Sequence, residues 1–185
     1  KADFLSVDTQ GSELEFLNGA KKLVSNSLLG INCEISFVDV YKDSNLFNEI
    51  DTLMKKNNFL FISIETFDMG FRRIDRPFRG RGIPLQGEAM YFKDPDSITS
   101  KTFDDPDLAL FKLAFISLAF GYTEFSYASL DKIKNMNKYK CEYINFLKLF
   151  KEQIKNSKDL PPLWHNVNSF KESNDRFTKK YNYLF

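Results

Sequence analysis

The sequence is poor in the residues that most often announce a chemistry. Among its 185 residues are one histidine, two cysteines and one tryptophan. His165, alone in the proline-rich stretch Leu160-Pro161-Pro162-Leu163-Trp164-His165, reads as a structural or surface residue rather than a catalyst. Cys33 and Cys141 lack any metal-ligand or redox spacing and fit buried thiols of a reducing compartment, so a cytoplasmic chain is expected. An excess of one charge is missing too. With 26 basic and 25 acidic residues there is no global field to mark a protein that coats nucleic acid or an anionic membrane. No apolar run reaches the roughly 20 residues that span a bilayer, and the opening Lys1-Ala2-Asp3 shows no basic leader before an apolar core. Internal repeats are absent. What remains is a 43% hydrophobic chain with 20 phenylalanines, enough to bury one substantial core.

The chain is organised around its first twenty residues. Phe4, Leu5 and Val7 form a short strand-like run, and Asp8-Thr9-Gln10-Gly11 supplies polar side chains and a glycine at its carboxyl end. Ser12 and Glu15 have capping-box spacing, which predicts a helix from Ser12 to about Ser25–Ser27, with Leu14, Phe16, Leu17, Ala20, Leu23 and Val24 on its apolar stripe. Leu29, Ile31, Cys33, Ile35 and Phe37 alternate with smaller or polar residues and predict a second strand. A second helix follows Ser44 or Asn45 and ends at Asn57-Asn58; Phe59 to Glu65 is a third strand. This strand–helix rhythm is that of parallel crossovers in an α/β sheet.

Residues 66–86 break the pattern and read as a long loop carrying Arg72, Arg73, Arg76, Arg79 and Arg81. It is either a solvated connection or a clamp for an acidic substrate, since arginine forks match carboxylates and phosphates. A nucleic-acid contact ranks below both, for want of a stacking platform or basic helix. Residues 88–93 form a fourth strand, ended by Asp94-Pro95. From Asp104 the chain turns helical: Asp105 caps, Pro106 takes the first helical position, and 108–120 is apolar nearly all round, a helix for a core or an interface. A second helix opens at Thr123, a third carries Tyr139 to Ile154, and a tail closes the chain. The division expected is 1–102 for the α/β part and 103–185 for the helical extension.

Three carboxylates attract a chemical reading. Asp8, at a strand's carboxyl end where open α/β sheets collect ligands, is placed to orient a hydroxyl, act as general base, or hold a divalent cation with Glu13. It could equally bond the Gly11 or Ser12 amides of its own turn. Glu13 sits in the first helical turn, where the macrodipole favours a negative charge without any further role. Glu34 falls inside an apolar strand, so its carboxylate must find a partner or face a cleft. Tyr41, seven residues on, would line the same cleft.

The block Asp3-Phe4-Leu5-Ser6-Val7-Asp8-Thr9-Gln10-Gly11-Ser12-Glu13-Leu14-Glu15, continued by Asn18-Gly19-Ala20, resembles the D-F-L-K-I-D-x-E/Q-G-x-E-x-x-V-L-x-G-A signature of FkbM-type methyltransferases. Glu34-Ile35-Ser36-Phe37 with Tyr41, and Gly87-Glu88-Ala89-Met90-Tyr91-Phe92-Lys93-Asp94, are similar to later family segments, and the resemblance runs to about residue 120. Ser6 replaces the family's usual lysine, and Gln10 stands where many members have glutamate.

The resemblance implies the C-terminal half of a Rossmann-like methyltransferase domain: about four strands, mostly parallel with the last antiparallel, then a helical region. It implies methyl transfer from S-adenosylmethionine to a hydroxyl of a glycan or small metabolite, with Asp8 catalytic, Asp8 and Gln10 toward the cofactor, and Glu13, Glu34, Tyr41, Arg79 and Arg81 toward the substrate. No resident metal is implied. The family's glycine-rich cofactor loop lies upstream of the block that begins here at Asp3, and no such loop occurs in residues 1–185. Residues 1–185 alone are therefore expected to be inactive, to bind no cofactor, and to self-associate through the first strand's edge or the 105–121 helix. The alternative is a non-catalytic α/β module that docks a partner through its helical region.

Overall fold

The computed structural model of the chain describes residues 2–40, 44–70, 82–135, 139, 144–146 and 148. Two compact units divide it, Lys1–Phe146 and Leu147–Phe185, and of the second only Lys148 is described. In the first, strands β1 (Phe4–Val7), β2 (Gly30–Ser36), β3 (Phe59–Gly70) and β4 (Ile83–Lys93) form one sheet in the order β1-β2-β4-β3. β1 pairs parallel with β2, while β4 lies antiparallel between β2 and β3. Strands β1, β2 and β3 thus share one direction and β4 alone opposes them, as the sequence led us to expect.

The alternation in β2 decides which face is the core. Ile31, Cys33 and Ile35 are at most 1% exposed. They meet Val7, Leu17, Val24, Leu28, Ile50, Met54, Phe59, Ala89 and Tyr91 in one apolar cluster, each large side chain contributing about 1.5–3 kcal/mol by burial. Helices α1 (Glu13–Gly19), α2 (Lys21–Asn26) and α3 (Phe47–Lys56) cover this face. The long first helix expected from Ser12 is two shorter ones, broken at Ala20. The capping box is also absent: Ser12 makes no capping bond and instead donates to the Thr9 carbonyl at 3.2 Å, while Glu15 accepts from Asn45 Nδ2 at 2.6 Å.

On the other face Phe92 packs against Phe120, Tyr122 and Phe125. Phe120 and Tyr122 follow α4 (Pro106–Ala119) and Phe125 lies in α5 (Thr123–Asp131), so this helical segment is a third layer on the sheet. Asp105 caps α4 through Leu108 N, with Pro106 in its first turn as read from the sequence. Lys112 joins Asp3 at 2.8 Å, and Phe4 stacks on Phe120 at 5.0 Å. Gly30 makes that stack possible, because a Cβ there would lie 2.7 Å from the Phe4 ring.

The region 66–86 departs most from expectation. β3 runs on to Gly70 and β4 begins at Ile83, pairing Asp68 with Gln86 and Gly70 with Ile83, so the two ends of the supposed loop are paired strand. The five arginines lie at 72–81, outside the described residues, as do Tyr41 and most of the predicted third helix. Among the described residues no helix is long and apolar enough to cross a membrane.

Candidate functional site at the strand carboxyl ends

Val7 is the last residue of β1 paired to β2, opposite Cys33, and the chain leaves the sheet at Asp8. Gln10 (φ 57°) and Gly11 (φ 104°) then take left-handed backbone conformations that turn it into α1. Glycine accepts such a φ freely; glutamine does so only when its surroundings enforce it. Here Gln10 Nε2 donates to Asp8 Oδ1 at 2.6 Å and to Glu34 Oε2 at 3.3 Å. Asp8, Glu13 and Glu34 each bring a carboxylate oxygen within 4.8 Å of the others.

The register across the sheet explains the concentration of charge. Glu34 of β2 lies opposite Glu88 of β4, which lies opposite Glu65 of β3. Cross-strand partners point to one face, so a row of carboxylates crosses the sheet beside Asp8. Asn32 eases part of the repulsion by donating to Glu88 at 2.7 Å. Gln86, buried on β4, reaches Glu34 Oε1 at 3.5 Å, the outer limit of a hydrogen bond. Burial, then the charge of Asp8 and a hydrogen bond with it, then Glu13 and Glu88, push the Glu34 carboxyl up to about 7. Near neutral pH the Glu34 carboxyl can thus keep a proton and donate it to Asp8.

Of the residues named from the sequence, the structure brings Asp8, Gln10, Glu13 and Glu34 together, while Tyr41, Arg79 and Arg81 fall outside the described residues. Glu13 is buried within its own turn. It is 3% exposed and accepts from the Thr9 and Gly11 amides, which leaves it poorly disposed to ligate a cation. Gln86 and Glu88 were not singled out as site residues, although the alternation Gln86-Gly87-Glu88 against Ala89 and Tyr91 places both on the Glu34 face.

Residues 1–61 match the family described as the methyltransferase FkbM domain. The FkbM segment covers 61 of the 185 residues, from β1 through α3 to the start of β3. It therefore holds Asp8, Gln10, Glu13 and Glu34, while Gln86, Glu88 and the helices α4 and α5 lie beyond it. No curated protein matches the chain, and no solved structure does.

The donor set fits part of the cofactor this family implies. The negative potential that raises Glu34 also attracts a sulfonium or ammonium group, and the Asp8 and Gln10 side chains line the same strand end. Asp8 and Gln10 would form one wall of such a site.

Proposed function

We propose that the chain is the C-terminal half of an S-adenosylmethionine-dependent O-methyltransferase domain, acting on a hydroxyl of a glycan or small metabolite. The observation that carries the reading is the Asp8–Glu34 carboxyl pair at the ends of two parallel strands, inside the FkbM segment. When bound, S-adenosylmethionine supplies an electrophilic methyl group. The chain's own task is alignment and proton handling: Asp8 accepts the acceptor hydroxyl's proton, and Glu34, titrating near neutrality, shares it. Gln10 holds the two carboxyl groups in register through its bonds to both.

The test is incubation of the complete natural protein with methyl-labelled S-adenosylmethionine and matched hydroxyl, carboxyl and amine acceptors. Base-stable methyl ethers support the reading. Methyl esters, N-methyl products or no transfer to any acceptor would reject it.

A further inference from the structure

Glu13, the first residue of α1, engages the 8–12 loop with both carboxylate oxygens. Its Oε1 accepts from Thr9 N at 2.8 Å, Thr9 Oγ1 at 3.1 Å and Gly11 N at 3.2 Å, and its Oε2 lies 3.1 Å from Gly11 N. These bonds bracket Gln10 on both sides, the one residue of the loop with a Cβ and a left-handed φ of 57°. Backbone in that region persists only when neighbouring contacts impose it. A favourable place in the helix field would account for a carboxylate at this position, but not for one folded back onto two amides and a hydroxyl of the preceding loop. The consequence of the bracket is visible in the side chain of Gln10, which meets Asp8 at 2.6 Å and Glu34 at 3.3 Å. Asn45 braces the same turn from the segment before α3, with its Nδ2 at 3.4 Å from the Gly11 carbonyl.

We infer that Glu13 is a positioning residue: it fixes the Thr9–Gly11 backbone, and through it sets Gln10 and Asp8 against Glu34. The inference takes its functional meaning from the methyl-transfer reading. Its geometry does not depend on it.

The test uses the full 185-residue chain, with amide exchange at Thr9 and Gly11 and a carbon-13 titration of Glu34 as readouts. Glu34 is faced by Asp8 and Glu13 from the loop and by Glu88 from β4, so charge and reach must be separated. Glu13→Gln removes the charge and keeps the length, whereas Glu13→Asp keeps the charge and loses the reach. If Glu13 positions the loop, both variants exchange at least tenfold faster at Thr9 and Gly11, and in both the Glu34 midpoint moves from near 7 toward the ordinary 4.5. A midpoint that moves in Glu13→Gln but not in Glu13→Asp reduces Glu13 to a nearby charge and overturns the inference, as does a midpoint that moves in neither. Should the buried substitutions prevent folding, Thr9→Val removes only the hydroxyl donor at an exposed position; a smaller shift in the same direction supports the inference and an unchanged midpoint overturns it. No methyl transfer enters these readouts, so their failure and that of the methyltransferase reading are separate results.

Discussion

Glu34 and Asp8 hold carboxylate oxygens within 4.8 Å of one another across the ends of β2 and β1. Burial and then the charge of Asp8 raise the Glu34 carboxyl above its ordinary value. Asp8→Asn should bring the Glu34 midpoint down from about 7, and a carbon-13 titration of the two proteins checks it.

The same shift makes stability depend on pH. Glu34 is raised in the folded state from 4.5 to about 7, so the folded chain binds more protons between these values. Its contribution is fully present below pH 4.5 and is lost as pH rises through about 7. Because the side chain is only partly buried, solvent screening leaves on the order of 1 kcal/mol. Urea unfolding at pH 5 and pH 7 should show a larger fall in stability for the wild type than for Glu34→Gln.

Lys93 gives the opposite sign. It is 2% exposed, sits over the Phe59 ring, and donates to Asn57 O at 2.7 Å and to Val24 O and Ser25 O at 3.3 Å, joining the carboxyl ends of α2 and α3. Burial lowers its ammonium from 10.5 to about 8, so the unfolded chain binds more protons between those values and stability rises with pH. Cys33 and Tyr91, both pushed up by burial, act against this at higher pH, which makes pH 8 to 9 the diagnostic window. Lys93→Met should cost about 1–3 kcal/mol at pH 7 through the carbonyls it leaves unpaired. It should also abolish the rise, as denaturant titrations at the two pH values would show.

Gly87 tests the hairpin. A Cβ at this position would lie 2.4 Å from the Glu65 carbonyl oxygen, a backbone atom that cannot step aside. Gly87→Ala should therefore push β3 from β4 and lower stability by about 1–3 kcal/mol, seen as a lower melting temperature.

β1 stands at one edge of the sheet and pairs, among the described residues, with β2 alone. An apolar edge with free backbone groups recruits other strands. The 185-residue chain should show concentration-dependent association in sedimentation velocity, reduced by Ser6→Lys.

Strand existence and direction were legible because Ile31, Cys33 and Ile35 alternate over a length no helix explains, and because the block around Asp8 carries its own spacing. What failed to show was set by tertiary context. The Ser12–Glu15 spacing fits a capping box, yet Asn45, 30 residues away, takes the Glu15 carboxylate. The extended reach of β3 and β4 was hidden by glycine, proline and arginine, which weigh against strand locally, while Gly87, paired with Thr66, allows the close approach of the Glu65 carbonyl. Of the site, Asp8, Gln10 and Glu34 could be named from sequence. The carboxylate row could not, because Glu88 and Glu65 become neighbours of Glu34 only once β4 enters between β2 and β3.

The most direct test of the account is the pH–rate profile of methyl transfer to a hydroxyl acceptor by the complete natural protein, with and without Asp8→Asn. Removing a positioned proton acceptor of this kind typically costs about 10²–10⁴-fold. The account predicts a wild-type rate that rises through a limb near pH 7, and an Asp8→Asn rate lower by that factor with the limb displaced. An Asp8→Asn protein that transfers methyl groups within a few-fold of wild type, with the limb unmoved, would contradict it.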